Sequence, residues 1–292
     1  MSESAAVLEA VEASSAKRRE MPIGPEKQPE RLTAKRHIRH ATVVRVGGVP
    51  IGSGVPVVIA GPCSVESRDQ LLTAAEGVKA AGATLLRGGA YKPRTSPYDF
   101  QGLGLEALLI LREVSERTGL PVVSEVMSTD DIEVVSDHVE MLQVGARNMQ
   151  NFPLLRRLGK VRRPVLLKRN PAATVKEWLL AAEYILAGGN DQVVLCERGI
   201  RSYDPELRNT FDIGGMVLAK TMTHLPVIAD PSHATGRRDL VPALSRAALA
   251  AGADGLIVEV HPHPERALSD GAQSLDIDNF AAMMEGLPGL ED

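Results

Sequence analysis

Four residues far apart in the chain, Cys63, His233, Glu259 and Asp270, carry groups that can bind a divalent cation: one thiol, one imidazole and two carboxyls. Thiolate and imidazole together suit a borderline ion such as Mn, Fe, Co, Zn or Cu, and would be odd partners for Ca or Mg. A second set is cationic: Arg87, Lys92, Arg94, Arg147, Lys168 and Arg198. Guanidinium forks match phosphate oxygens, and lysine adds a point charge. Gathered in one place, these like charges would repel one another, so they imply anionic ligands, two of them.

Whether the two sets meet depends on the elements that carry them. Short apolar runs recur at 57–59, 84–86, 122–124, 141–144, 165–167, 193–195, 227–229 and 255–258. Helix-period patterns fill most gaps, most clearly at 71–80, 105–117, 175–186, 213–223 and 240–250. Three of these helices end in the same punctuation, Ala81-Gly82-Ala83, Ala187-Gly188-Gly189 and Ala251-Gly252-Ala253, where a glycine fits a left-handed cap. Eight strands alternating with helices over about 230 residues match a (β/α)8 TIM barrel in size and rhythm. A doubly wound open sheet is the rival, but no Gly-x-Gly-x-x-Gly follows the first strand.

Active sites of such barrels sit at the C-terminal ends of the strands. Those ends carry Cys63, Arg87, Glu125, Arg147, Lys168, Glu197-Arg198, Asp230 with His233, and Glu259. Taken singly, each has a bland reading as core, cap or surface; their shared rim is what points to a site. Cys196, inside a strand, reads as a small core hydrophobe. His261 and His263 read as neighbours that do not ligate, and Arg162-Arg163 and Arg237-Arg238 as ordinary surface.

The chain has 292 residues, of which 44% are hydrophobic and 24% charged, the composition of a folded protein. Lys plus Arg is 33 against 37 Asp plus Glu, and this net charge of −4 argues against a general nucleic-acid or membrane-surface binder. Two cysteines make no disulfide framework and no signal peptide opens the chain, so a reducing cytoplasm is expected. The longest uncharged run, 46–65, holds five glycines and three prolines and cannot be a spanning helix. Residues 1–40 are polar and read as a flexible or helical extension, with Val7, Leu8 and Val11 on one helix face and a break at 22–29. Residues 41–292 read as the catalytic barrel, opened by a hairpin over 42–51 that turns at Gly47-Gly48 and covers the barrel's N-terminal mouth.

An ordered series of motifs then carries a resemblance. It comprises Gly61-Pro-Cys-Ser-Val-Glu66, Leu86-Arg-Gly-Gly-Ala-Tyr-Lys-Pro-Arg-Thr-Ser96, Gly145-Ala-Arg-Asn-Met-Gln150 and Leu167-Lys-Arg-Asn170. Cys196-Glu-Arg-Gly199, Ala229-Asp-Pro-Ser-His-Ala-Thr-Gly236, Val258-Glu-Val-His261 and Ser269-Asp-Gly271 continue it. Over about residues 40–285 the sequence resembles type I 3-deoxy-D-arabino-heptulosonate 7-phosphate (DAHP) synthases of the beta subgroup.

The resemblance implies a metal-dependent barrel that condenses phosphoenolpyruvate with erythrose 4-phosphate at the head of the shikimate pathway. Carried over by motif, Cys63, His233, Glu259 and Asp270 match the metal ligands, and Arg147, Lys168 and Arg198 match the phosphoenolpyruvate site. Arg87 and Lys92 match groups reaching between the substrates. Arg94 and Thr95, with Ser96 beside them, match the site for the sugar phosphate. Glu125 matches a carboxylate near the attacking water, and Lys168, Lys92, Glu125 and His233 or a metal-bound water are the proton handlers. The related 3-deoxy-octulosonate 8-phosphate synthases have an Ala-Asn-Arg-Ser-Ser type loop, whereas Pro93-Arg94-Thr95-Ser96 and Gly145-Ala-Arg147 favour the four-carbon sugar. A catalytically silent barrel would show a lost ligand, and every ligand position is filled. Assembly as a homodimer or homotetramer, and control by a partner such as chorismate mutase, are further implications. Forty polar residues before the hairpin are too few for the aromatic-amino-acid-binding domain of some relatives.

Overall fold

The apolar rhythm of the sequence closes on itself. The computed structural model describes residues 31–37 and 40–290. A hairpin of β1 (Val44–Val46) and β2 (Val49–Ile51) comes first. Eight parallel strands follow: β3 (Val57–Gly61), β4 (Leu85–Arg87), β5 (Val122–Glu125), β6 (Met141–Val144), β7 (Val165–Lys168), β8 (Val193–Glu197), β9 (Val227–Ala229) and β10 (Gly255–Glu259). They form a closed barrel in sequence order, with β10 pairing back onto β3 from Gly255–Val57 to Glu259–Gly61.

The α-helices among the described residues are α1 (Arg68–Ala80), α2 (Leu105–Thr118), α3 (Ile132–Ser136), α4 (Phe152–Leu158), α5 (Val175–Leu186), α6 (Ile213–Met222), α7 (Pro231–Thr235), α8 (Val241–Ala250) and α9 (Ile277–Glu285). The sequence pattern reads the five longest of these except for their ends. The others are too short, or too irregular in pattern, to show a helical period. Of the Ala-Gly endings, Gly82, Gly189 and Gly252 are left-handed, so the second glycine of the middle pair takes that role. At α5 a full capping box forms, with Thr174 and Glu177 bonding each other's backbone.

Side chains alternate across each strand, and a parallel sheet covered by helices is apolar on both faces. On β7, Val165 and Leu167 pack towards the helices, while Leu166 joins an inner layer with Ile59, Leu85, Val123, Met141, Val194, Cys196, Ile228 and Ile257. Two residues beyond that layer, the same inward parity falls on Arg87, Glu125, Gln143, Lys168, Arg198, Asp230 and Glu259. The strand period thus sets a polar layer directly above an apolar one.

The other end of the barrel is plugged. Val44, Val46 and Ile51 of the hairpin, all fully buried, pack on the inner layer. Gly47 and Gly48 have φ of 53° and 93°, which a two-residue turn requires. The compact unit extends back to Leu32. The Thr33 amide and hydroxyl donate to Glu183 at 2.8 and 2.7 Å, and Ala34 bridges to Thr223. The expected helix face of Val7, Leu8 and Val11 and the break at 22–29 lie outside the described residues.

Candidate active site and metal centre

Cys63, His233, Glu259 and Asp270 come together, each offering one donor atom, and the four atoms lie within 4.8 Å of one another. Glu259 ends β10, and Cys63 lies just past the end of β3. His233 sits on α7, whose N-cap Asp230 accepts the His233 amide at 2.9 Å. The Asp230 Oδ2 also takes His233 Nδ1 at 2.7 Å, which turns Nε2 to face Glu259 Oε1 at 3.3 Å. Asp270 comes from the loop after β10, where its Oδ2 meets Cys63 Sγ at 2.9 Å. That loop is tied down by Ser64 to Ser269, hydroxyl to hydroxyl at 2.6 Å, and by Glu66, which accepts the Leu268 amide at 2.8 Å. Asp270 itself has φ 50°, alone among the described non-glycine residues in the left-handed region.

The electrostatics fit a divalent cation. Burial, helped by Glu259, pushes the Cys63 thiol up to about 12, so without a cation it holds its proton. Burial lowers the pKa of His233, so the imidazole gives up its proton more readily in favour of an incoming cation. Burial alone would raise the Glu259 and Asp270 carboxyls, but His233 first, joined by Arg87 and Lys92 at Glu259 and by Cys63, Lys92 and Arg208 at Asp270, together outweigh it and hold both below their ordinary values. Glu259 Oε1 is buried without a hydrogen-bond partner; Arg87 Nη1 lies 3.1 Å away but is not aligned to donate. An ion replacing the thiol proton and meeting that oxygen would complete the group.

A cavity of about 520 Å³ is lined by Cys63, His233 and Asp270 of this group and by Arg87, Lys92, Arg94, Arg147, Lys168 and Arg198. Lys92 Nζ lies 2.7 Å from Cys63 Sγ, and Lys168 Nζ lies 2.5 Å from Asp230 Oδ2. Arg147 donates to the Pro93 carbonyl at 3.0 Å and so ties two rim loops together. Arg94 pairs with Asp99 at 3.3 Å. Arg198 is buried, and burial penalises its charge, with Asp230 the largest counterweight. An anionic guest would add the compensation such a group lacks.

Glu125 accepts from Gln143 Nε2 at 3.2 Å and leans over Gly145, where any Cβ would collide with its carboxylate. Thr95 lines the cavity, whereas Ser96 does not; its hydroxyl accepts the Tyr98 amide at 3.2 Å. Cys196 belongs to the inner apolar layer, His261 faces Glu66 at 3.3 Å, and His263 is exposed. Arg237 pairs with Asp239 on the surface, as expected of ordinary surface charge.

Asp230, read from the sequence as a strand-end group without a role, gains one here, since one of its oxygens serves both Lys168 and His233. Its signal in the sequence is Asp-Pro-Ser-His, a capping aspartate three residues before the ligand. Gln273 and Arg208, next to the carboxylate ligands, left no such signal.

Comparison with known proteins adds what the chain as a whole is similar to. The DAHP synthetase I family model matches residues 23–289. A phospho-2-dehydro-3-deoxyheptonate aldolase from Thermotoga maritima is 49% identical over 91% of this chain and 78% of its own length. A 2-dehydro-3-deoxyphosphooctonate aldolase from a Geobacter species is 32% identical, over 85% of this chain and 97% of its own. The crystal structure of the Thermotoga maritima enzyme superposes with a TM-score of 0.85 at 49% identity, covering 89% of this chain and 76% of that one. A truncated form of that enzyme gives 0.81 at 46% identity, covering 87% and 93%. No helix among the described residues is long and apolar enough to cross a membrane.

Proposed function

The chain belongs to the DAHP synthetase I family and condenses phosphoenolpyruvate with erythrose 4-phosphate and water to give DAHP and phosphate, and we propose how its residues divide that work. The observation that supports the division is that the metal group and the six cations open on one cavity. Arg147, Lys168 and Arg198 hold the phosphate and carboxylate of phosphoenolpyruvate. Arg94 and Thr95 hold the sugar phosphate, and Ser96 contributes through the turn it makes with Tyr98. Arg87 and Lys92, each beside a metal ligand, reach between the substrates. Gathering two anions in this way supplies orientation and offsets their repulsion.

Cys63, His233, Glu259 and Asp270 hold the divalent ion that the family requires, and Mn, Fe, Co, Zn or Cu suits that donor set. Bound there, it supplies a Lewis acid for the aldehyde oxygen of the sugar. The methylene carbon of phosphoenolpyruvate bonds to the aldehyde carbon, water adds to the neighbouring carbon that bears the phosphate, and phosphate leaves that carbon by carbon–oxygen cleavage. Lys92 Nζ, Lys168 Nζ and the Glu125 carboxylate are the groups that hold and move protons. His233, with Nδ1 engaged by Asp230 and Nε2 turned to Glu259, serves as ligand and not as proton carrier. Assembly as a homodimer or homotetramer, a regulatory partner such as chorismate mutase, and a cytoplasmic location rest on the family resemblance.

The test is steady-state turnover of phosphoenolpyruvate with erythrose 4-phosphate and with arabinose 5-phosphate. We expect kcat/KM to favour the four-carbon sugar by about a hundredfold or more. Equal or better use of the five-carbon sugar would move the chain to the octulosonate branch.

A further inference from the structure

Each carboxylate ligand is pinned by one oxygen only. Gln273, 2% exposed, donates from Nε2 to Glu259 Oε2 at 2.6 Å. Its Oε1 accepts from Arg208 Nη1 at 2.9 Å. The same Arg208 nitrogen stands 3.6 Å from Asp270 Oδ1. The remaining oxygens face the other donors: Glu259 Oε1 lies 3.3 Å from His233 Nε2, and Asp270 Oδ2 lies 2.9 Å from Cys63 Sγ.

We propose that Gln273 and Arg208 are positioning residues that hold Glu259 and Asp270 to one ligand oxygen each, so that the cation meets four single donors. Arginine can only donate, so Arg208 fixes which end of the Gln273 amide is oxygen and turns the NH2 towards Glu259. Rotating Glu259 to offer both oxygens would break a short buried bond and strand that NH2 away from water. Asp270 is restrained as well, by Arg208 on one oxygen and by its own left-handed backbone. A site so built favours an ion content with few donors over one, such as calcium, that gathers six to eight oxygens and uses carboxylates bidentately.

The proposal deepens the metal reading above and rests on it, so the test separates the two. Metal-free protein is titrated with Co2+, following the thiolate-to-cobalt charge-transfer band and the visible d–d bands. Affinity is read by competition with a chromophoric chelator. Gln273→Leu should keep the thiolate band, weaken Co2+ about ten- to hundredfold, and lower d–d absorptivity as the freed carboxylate raises the coordination number. Arg208→Ala, at a half-exposed side chain the fold does not depend on, should move the same bands the same way by less. It decides the matter alone if the Gln273 variant does not fold. Wild-type affinity and spectrum in the variants that fold would overturn the proposal. If Cys63→Ser kept the thiolate band, the ligand set itself would be wrong and the proposal would fall with it.

Discussion

Lys168 and His233 meet on one oxygen: their Nζ and Nδ1 lie 2.5 and 2.7 Å from Asp230 Oδ2. Burial alone would raise this carboxyl, but His233 and Lys168 together hold it well below the usual range. A group proposed to bind phosphoenolpyruvate and an imidazole proposed to bind the metal therefore share a counter-charge. Asp230→Asn should weaken metal binding about ten- to hundredfold, because the imidazole loses the carboxylate that orients it. It should also leave the Lys168 ammonium buried without its partner. Phosphoenolpyruvate affinity in the variant should then fall as well. Separate titrations of metal and of phosphoenolpyruvate check this; a change in only one of them would refute the shared role.

The two cysteines should behave oppositely. Chelation should abolish turnover and Mn2+ or a similar ion restore it, and Cys63→Ser should weaken that metal severely. Cys196→Ser places a hydroxyl in the inner apolar layer and should cost about 1–3 kcal/mol of stability, with turnover per folded molecule unchanged. Metal content and thermal melts of both variants give the comparison, and full activity after exhaustive chelation would reject the metal assignment.

Arg94 and Lys168 separate the two anion sites. Arg94→Ala should mainly raise KM for erythrose 4-phosphate, and Lys168→Ala should damage handling of phosphoenolpyruvate. Each lost charge-assisted contact is worth about 1.5–3 kcal/mol, or roughly ten- to hundredfold. Initial rates with each substrate varied in turn measure the split, and unchanged sugar kinetics in Arg94→Ala would remove that loop from the sugar site.

How much of this was legible in the sequence turns on strand parity. The run Leu166-Leu-Lys-Arg169 shows two cations, and Cys196-Glu-Arg198 an adjacent acid and base. Inward parity from Leu166 and Cys196 selects Lys168 and Arg198 for the cavity. The same parity sends Arg169 and Glu197 to the outer face, where they pair at 2.9 Å, with Asp212 at 2.8 Å from the same Arg169 nitrogen. The eight strands were readable because each is a buried apolar run, and the proposed ligands Cys63, His233 and Glu259 because they end or closely follow such runs. Gln273 was not, since an amide acquires its role only from what folding brings beside it, here Glu259 from a strand and Arg208 from a distant loop. Helix α3 escaped for a simpler reason: five residues cannot show a period of 3.6.

Trimming the N-terminus should be graded in its effect. A chain beginning at Leu32 keeps the Glu183 and Thr223 contacts and every proposed site residue, so its melting point and turnover should match the full chain. One beginning near residue 41 loses those contacts and should melt earlier while still turning over. One beginning near residue 55 also loses Val44, Val46 and Ile51, each worth about 1.5–3 kcal/mol when buried, and should become poorly soluble. Loss of turnover in the first, with its fold intact, would mean that residues before Leu32 reach a catalytic cavity.

Asp270 holds a backbone shape that disfavours residues other than glycine by about 1–2 kcal/mol, although aspartate tolerates it better than most. Its charge also crowds Glu259 and Cys63 whenever no cation separates them. Glycine at that position would relax the backbone, but it would also remove the carboxylate that His233, Cys63, Lys92 and Arg208 favour in its charged form, and with it a proposed ligand. Backbone and side chain therefore pull this one position in opposite directions, and the turn keeps its strain because a carboxylate is presented from it.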